Sequence, residues 1–227
     1  MMKRSELNQI MLNTKDFLEE MNFFLPPFAY WSPAEWKEKN HEYDEIRENM
    51  MGWDITDFGS CDYKNCGLLM FTIRNGNVDN KKYKKTYGEK LLIIGEGQLT
   101  PYHFHWRKME DIINRGGGNI MVQLYQADEN ENLSDEDITV HVDGREFTAK
   151  AGSIIRLQPG ESITIMQYQY HQFWGEEGTG PILAGEVSEV SNDEEDDRFL
   201  EECGRFAPIQ EDEEPLYLLY NEYPMAK

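Results

Sequence analysis

From residue 52 to about residue 190 the chain is a succession of short apolar or alternating runs: CGLLMFTIRNG, EKLLIIGEGQ, QLTPYHFHW, NIMVQLYQA, DITVHVDGREFTA, GSIIRLQPG, ESITIMQYQYHQFW and PILAGEVSEV. Gly, Pro, Asn and Asp separate them. Runs this short, at close spacing and with turn residues between, predict strands of an all-β barrel or sandwich. Asp143-Gly144 fits a two-residue hairpin turn, where both positions need positive φ. Pro159-Gly160 within QPGES marks another tight turn. The triple glycine 116–118 lacks the Lys-Ser/Thr of a phosphate loop. It reads instead as a barrel corner, where glycine relieves backbone crowding.

The first fifty residues follow a different rule. Residues 4–22 predict a helix with Ile10, Leu12, Phe17, Leu18 and Met21 on one face and Ser5 capping its start. Pro26 and Pro27 break it. Ser32, Pro33 and Glu35 then open a second, charged helix over roughly 33–48, with Pro at the first helical position. The tail from Asn192 begins acidic, NDEEDD, and ends apolar, PLYLLYNEYP, a pattern that predicts packing on the barrel or on another subunit. The expected organisation is one domain over 1–227: a helical arm at 1–50, a barrel at 52–190 and a tail at 191–227.

Charge narrows the partners. Lys and Arg number 22 against 43 Asp and Glu, a net charge of −21. That field repels phosphate backbones and anionic lipid, so no nucleic acid and no membrane surface is expected as a partner, while a neutral small molecule is unaffected. Three cysteines are too few for a disulfide framework, and Cys61 and Cys66 have no second pair or nearby His to complete a zinc site. A reducing compartment fits. The polar, periodic N-terminus is no secretory signal and no run approaches membrane-spanning length, so the expected location is cytoplasmic.

The chemistry concentrates in GEGQLTPYHFHWRKMEDIINRGGGN, residues 95–119. Alternate side chains of a strand share a face, so His103 and His105 point together while Tyr102, Phe104 and Trp106 point away. Two adjacent imidazoles make half a metal site, and Glu110 lies far enough on for a turn to bring its carboxylate to the same ion. Gly97, five residues, His103, one, His105, four, Glu110, six, Gly117 resembles the first motif of the cupin superfamily at every position. The resemblance implies a small jelly-roll barrel around a metal, with a fourth ligand from a second motif. Gly152, Pro159 and Gly160 resemble that motif's start with the spacing off by one, and its closing Asn is missing. His171 lies well beyond Gly160 but is the best fourth ligand. His41 sits in the arm and His141 in a hairpin strand, a structural position.

Three imidazoles and a carboxylate suit a divalent Mn, Fe, Co, Ni or Zn ion and leave open positions for two neighbouring oxygens, such as a carbonyl and its α-hydroxyl. TPYHFHWRKMEDIINRGGGN, LPPFAYWSPAEW, YHQFWGE, GEVSEVSND and LLYNEYP together resemble the bacterial D-lyxose isomerases over most of the chain. That resemblance implies interconversion of D-lyxose with D-xylulose and of D-mannose with D-fructose, usually with Mn²⁺, in a homodimer, with His103, His105, Glu110 and His171 as ligands. Isomerisation through an enediol needs a base over C1–C2 and a positive group at the developing oxyanion. Glu186, an unexpected charge in the small-residue strand ILAGEVSEV, is the expected base. Lys108 is the expected oxyanion partner or proton donor, with Arg107 its rival by strand parity. Lys90, Asp193 and Arg198 are candidates for holding sugar hydroxyls, although the run Asp193–Asp197 reads on balance as a solvated loop. Trp31, Trp106, Phe173 and Trp174 are candidates for an apolar wall under the sugar. Two other readings use the same ligands: an Fe²⁺ dioxygenase, and a sugar-binding cupin without catalysis.

Overall fold

The computed structural model describes residues 2–204 and 208–227. Its frame is two antiparallel sheets facing each other as a cupin-type jelly roll. The larger sheet runs, edge to edge, through Gly52–Thr56, Leu68–Arg74, Tyr87–Ile94, Ile182–Glu189, Glu110–Gly117, Ser162–Ile165, Ile138–Val142 and Arg145–Ala149. The smaller runs through Ile154–Leu157, Ile120–Gln126, Gln169–Gly175, Thr100–His105 and Asp197–Phe199. Between them lies an apolar core that includes Leu92, Ile112, Val122, Leu124, Ile163 and Phe173.

The arm explains why several barrel strands are hydrophobic on both faces. Leu68, Met70 and Leu92 point into the barrel, while Leu69, Phe71 and Leu91 point outward. The outward set is covered by Leu7, Met11, Leu18, Phe28 and Trp36 of the arm and by Leu219 of the tail. A strand buried on both sides loses the clean alternation of a half-exposed one. The tail closes this layer: Ile209–Gln210 pairs in parallel with Met2–Lys3, and Tyr223 stacks on Trp36 with centroids 3.9 Å apart. Buried Arg4 ties the two ends together through Glu211 and Glu222.

Local expectations are met or corrected for identifiable reasons. The first helix spans Arg4–Glu20, and its buried face is Leu7, Met11, Thr14 and Leu18, with Leu12 exposed. Ser5 does not cap it; the Lys3 N–H donates to Glu6 at 2.8 Å, and Ser5 bonds Asp212 of the tail. Ser32 and Glu35 do form a reciprocal cap with Pro33 at the first position. The helix over 33–48 is broken into Pro33–Trp36, a 3₁₀ turn at His41–Tyr43 and Asp44–Glu48. Its middle has no apolar stripe to bury, and Asn40 caps a fresh start by accepting from the Glu42 N–H at 3.0 Å. Asp143 and Gly144 take φ of 49° and 78° in the hairpin, as expected. Gly117 turns the corner with φ of 88°, and a Cβ there would lie 2.2 Å from the Pro181 carbonyl oxygen.

Candidate active site

Strand pairing assembles the site. Thr100–His105 lies beside Gln169–Gly175 with His103 directly opposite His171, and cross-strand neighbours on one face are in contact. The His103 and His171 rings sit with centroids 4.1 Å apart, and His105 is 5.2 Å from His103 and 5.4 Å from His171. One ring nitrogen from each of the three falls within 4.8 Å of the others. The stretched spacing to His171 has a plain cause. Strand Ser162–Ile165 and a turn with Tyr168 at φ 58° intervene after Gly160.

Glu110 starts the next strand of the other sheet and faces the same point. Its carboxylate oxygens lie 3.3 Å from His105 Nε2 and 3.3 Å from His171 Nε2. His103 Nδ1 is 2.8 Å from the Pro101 carbonyl and His171 Nδ1 is 3.1 Å from that of Gln169. Donation to those carbonyls puts the proton on Nδ1 and leaves Nε2 as a lone pair facing the cluster. Two inner ring atoms, His105 Nε2 and His171 Nε2, are buried without a hydrogen bond, and Glu110 Oε2 has beside them only its ion pair with Lys108. Buried polar atoms are nearly always satisfied, so orphaned atoms converging on one point fit a missing cation.

Beside this cluster is a second, charged one. Glu186 pairs in register with Lys90 on the neighbouring strand, so both project into the barrel. Lys90 Nζ lies 3.1 Å from Glu186 and 2.7 Å from Asp193. Lys108 Nζ lies 2.9 Å from Glu110, 3.1 Å from Glu186 and 3.3 Å from Asp193. All of these groups, with His103 and His105, line one cavity. The ammonium of Lys108 therefore bridges the carboxylate that joins the imidazoles to the one that faces Lys90.

The chain matches the D-lyxose isomerase family over residues 2–223. It is 48% identical over 223 residues to the D-lyxose/D-mannose isomerase of Serratia proteamaculans, covering 98% of both chains. It is 47% identical, with the same coverage, to the protein of the same name from Escherichia coli O157:H7. This chain belongs to the D-lyxose isomerase family. It is thereby an aldose–ketose isomerase, and its barrel has solved counterparts. The L-ribose isomerase of Acinetobacter sp. DL28, as a mutant in complex with L-ribose, superposes with a TM-score of 0.64 at 15% identity, covering 92% of this chain and 98% of that one. That of Cellulomonas parahominis, with L-ribose, gives 0.60 at 16% identity with the same coverage. At this identity they show a shared fold.

Within this member of the D-lyxose isomerase family the remaining candidates fall on either side of the cavity wall. Arg107 points outward, half-exposed, to Glu195 and Asp196, so Lys108 is the cation that faces the cavity. Arg198 stands opposite Phe104 on the outer face of the sheet and pairs with Glu131, so it does not reach a sugar in the cavity. The apolar wall contains Phe173, with Phe58, Leu68, Met70, Leu92 and Phe199. The other three aromatics are elsewhere. Trp31 packs on Trp36 and Tyr43 in the arm, Trp106 donates to Glu131, and strand parity turns Trp174 away from Phe173. His41 is bonded to Asp44 in the arm, and His141 lies 3.8 Å from Glu146 on the outer hairpin.

The acidic run is corrected as well. Asp196 is buried and accepts from the Arg107 and Lys108 N–H groups at 2.8 and 3.0 Å, fixing the turn that carries Lys108. Asp193 is inside with the lysines, and Asp197 lies in the cavity wall; only Glu194 and Glu195 are exposed.

The electrostatics follow from burial and pairing. Burial opposes charge on Lys108, but Asp193, Glu110 and Glu186 outweigh it and hold the ammonium well above its usual range. Burial likewise opposes the charge on Lys90, and Asp193 and Glu186 raise it. Burial would raise Glu110, yet Lys108 and His105 keep it ionised, well below the carboxylate range. Burial, helped by His171 and His105, drives His103 well below its ordinary value, leaving it neutral as a ligand must be.

Proposed function

We propose that this enzyme interconverts D-lyxose with D-xylulose and D-mannose with D-fructose by proton transfer through an enediol, with a divalent cation, Mn²⁺ by preference, as its cofactor. The names of the two bacterial relatives support the substrate pair. The observation that carries the reading is a buried cavity where unpartnered His ring nitrogens and the Glu110 carboxylate adjoin a Lys–Glu–Lys cluster.

Bound by His103, His105, Glu110 and His171, the cation supplies Lewis acidity that acidifies the C–H beside a sugar carbonyl. Glu186 takes the proton from C2 of the aldose and returns it to C1, while the hydroxyl proton passes from O2 to O1 across the enediol. Lys108, permanently charged, donates hydrogen bonds to the oxygen on which negative charge develops. Lys90 holds the Glu186 carboxylate in place, and Asp193 balances the two ammonium groups while offering an acceptor to a sugar hydroxyl. The apolar side excludes water that would exchange the transferred proton. The arm, barrel and tail act as one domain in this reading. The enzyme works as a homodimer in the cytoplasm, which sedimentation and cell fractionation would check.

The test is turnover of D-lyxose and D-mannose by protein stripped with chelator and then reloaded. Loss on stripping, recovery with Mn²⁺ and no oxygen uptake are expected. Full turnover by the stripped protein would overturn the metal reading.

A further inference from the structure

Phe199 and Asp197 come from the segment after the barrel, beyond the last long strand. Asp197–Phe199 is the edge strand of the smaller sheet, paired antiparallel to the histidine strand. The register sets Asp197 opposite His105 and Phe199 opposite His103. Strand geometry then turns both side chains into the cavity and Arg198 out of it. The Phe199 ring lies 5.3 Å from that of His103. One carboxylate oxygen of Asp197 is 2.9 Å from His105 Nδ1, with the Asp197 side chain 10% exposed. The two atoms approach as an ion pair without an aligned hydrogen bond, and neither has a hydrogen-bond partner elsewhere.

The three imidazoles are not held alike. His103 and His171 each face a backbone carbonyl with Nδ1. His105 has only the Asp197 carboxylate at that position, while Glu110 faces its other nitrogen. A ring lying between two carboxylates can donate from both nitrogens, and an ion must displace the proton on Nε2. Only the Nδ1–H form presents a lone pair at Nε2.

We propose that Asp197 is a positioning residue for the cation site: it accepts the Nδ1 proton of His105, and so fixes the ring's tautomer and orientation for ligation through Nε2. Because the carboxylate arrives on a strand paired beside the ligand strand, the same pairing that walls the cavity supplies the outer carboxylate. Outer carboxylates of this kind are worth roughly ten- to a hundred-fold in metal affinity. The inference rests on the proposed reading that His103, His105, Glu110 and His171 bind a divalent ion.

The experiment is a Mn²⁺ titration of chelator-stripped full-length protein, reading free Mn²⁺ by electron paramagnetic resonance. The wild type, Asp197→Ala, Asp197→Asn and Arg198→Ala are compared. Asp197→Ala is expected to weaken Mn²⁺ binding by roughly ten- to a hundred-fold. Asp197→Asn, which keeps the shape and one acceptor oxygen, is expected to fall between it and the wild type. Arg198→Ala, on the same strand with its side chain outside, is expected to bind like the wild type. Nitrogen-15-edited NMR of the histidines in the stripped protein supplies a readout that general loosening would not give: the Nδ1–H signal of His105, held by the carboxylate in the wild type, is lost to solvent exchange in Asp197→Ala while those of His103 and His171 persist. Should Asp197→Ala fail to fold, the Asn variant and the NMR carry the test. Wild-type affinity and an unchanged His105 Nδ1–H signal in the Asp197 variants would overturn the positioning role. Failure of the wild type itself to bind Mn²⁺ would overturn the metal reading first.

Discussion

At the scale of single residues, the proposed mechanism divides labour between ligands and proton-transfer groups that share one wall. Glu110 belongs to both, since it faces two imidazoles and the Lys108 ammonium. Removing a ligand and removing the base should therefore fail differently. His171→Ala is expected to lose bound Mn²⁺ and activity together, seen by metal analysis of the purified protein. Glu186→Gln is expected to retain the metal while kcat falls by about 10²–10⁴, the usual worth of a general base. Deuterium exchange at C2 of the aldose, followed by NMR, should disappear in the same variant. Much of this was legible in the sequence. The histidine pair, Glu110 and Glu186 betray themselves by parity and by being charged where a strand should be apolar. Arg198 misleads because its face is set by pairing with a strand nearly a hundred positions away. Asp197 hides in an acidic run whose burial no local pattern encodes.

At the scale of elements, the turns were legible because their backbone demands particular residues. Gly117 has both a positive φ and the Pro181 oxygen where a side chain would begin. Gly117→Ala is expected to cost about 2–4 kcal/mol from strain and overlap together, read as a lower urea midpoint with an unchanged slope. The arm was less legible. A helix over 33–48 was expected from charge and a good cap, but without an apolar stripe the chain had no face to bury. The true buried face of the first helix, Leu7, Met11, Thr14 and Leu18, includes a threonine that hydropathy alone does not select. The acidic segment after the barrel became interpretable only through its pairing with the histidine strand.

At the scale of the whole molecule, the arm and tail form a second hydrophobic layer on the outside of the larger sheet, and its half-buried tyrosines tie stability to pH. Burial pushes the Tyr63 hydroxyl up to about 12 and raises Tyr223 further. A group whose value rises on folding keeps its proton more tightly in the native state. Its stabilising contribution is whole below the ordinary value of 10.0 and is lost as pH climbs from there towards the folded value. The melting temperature is thus expected to fall between about pH 10 and pH 12, and Tyr223→Phe to fall less steeply; equal slopes would contradict the role of this layer. The barrel's class could be read from strand spacing, whereas this outer layer could not, because its partners come from opposite ends of the chain. The central claim concerns the barrel's interior. Anomalous diffraction from crystals grown with Mn²⁺ tests it most directly. The expected result is one strong peak within roughly 2.0–2.3 Å of Nε2 of His103, His105 and His171 and of a Glu110 oxygen, whereas a cavity without a peak, or a peak held by other residues, would contradict it.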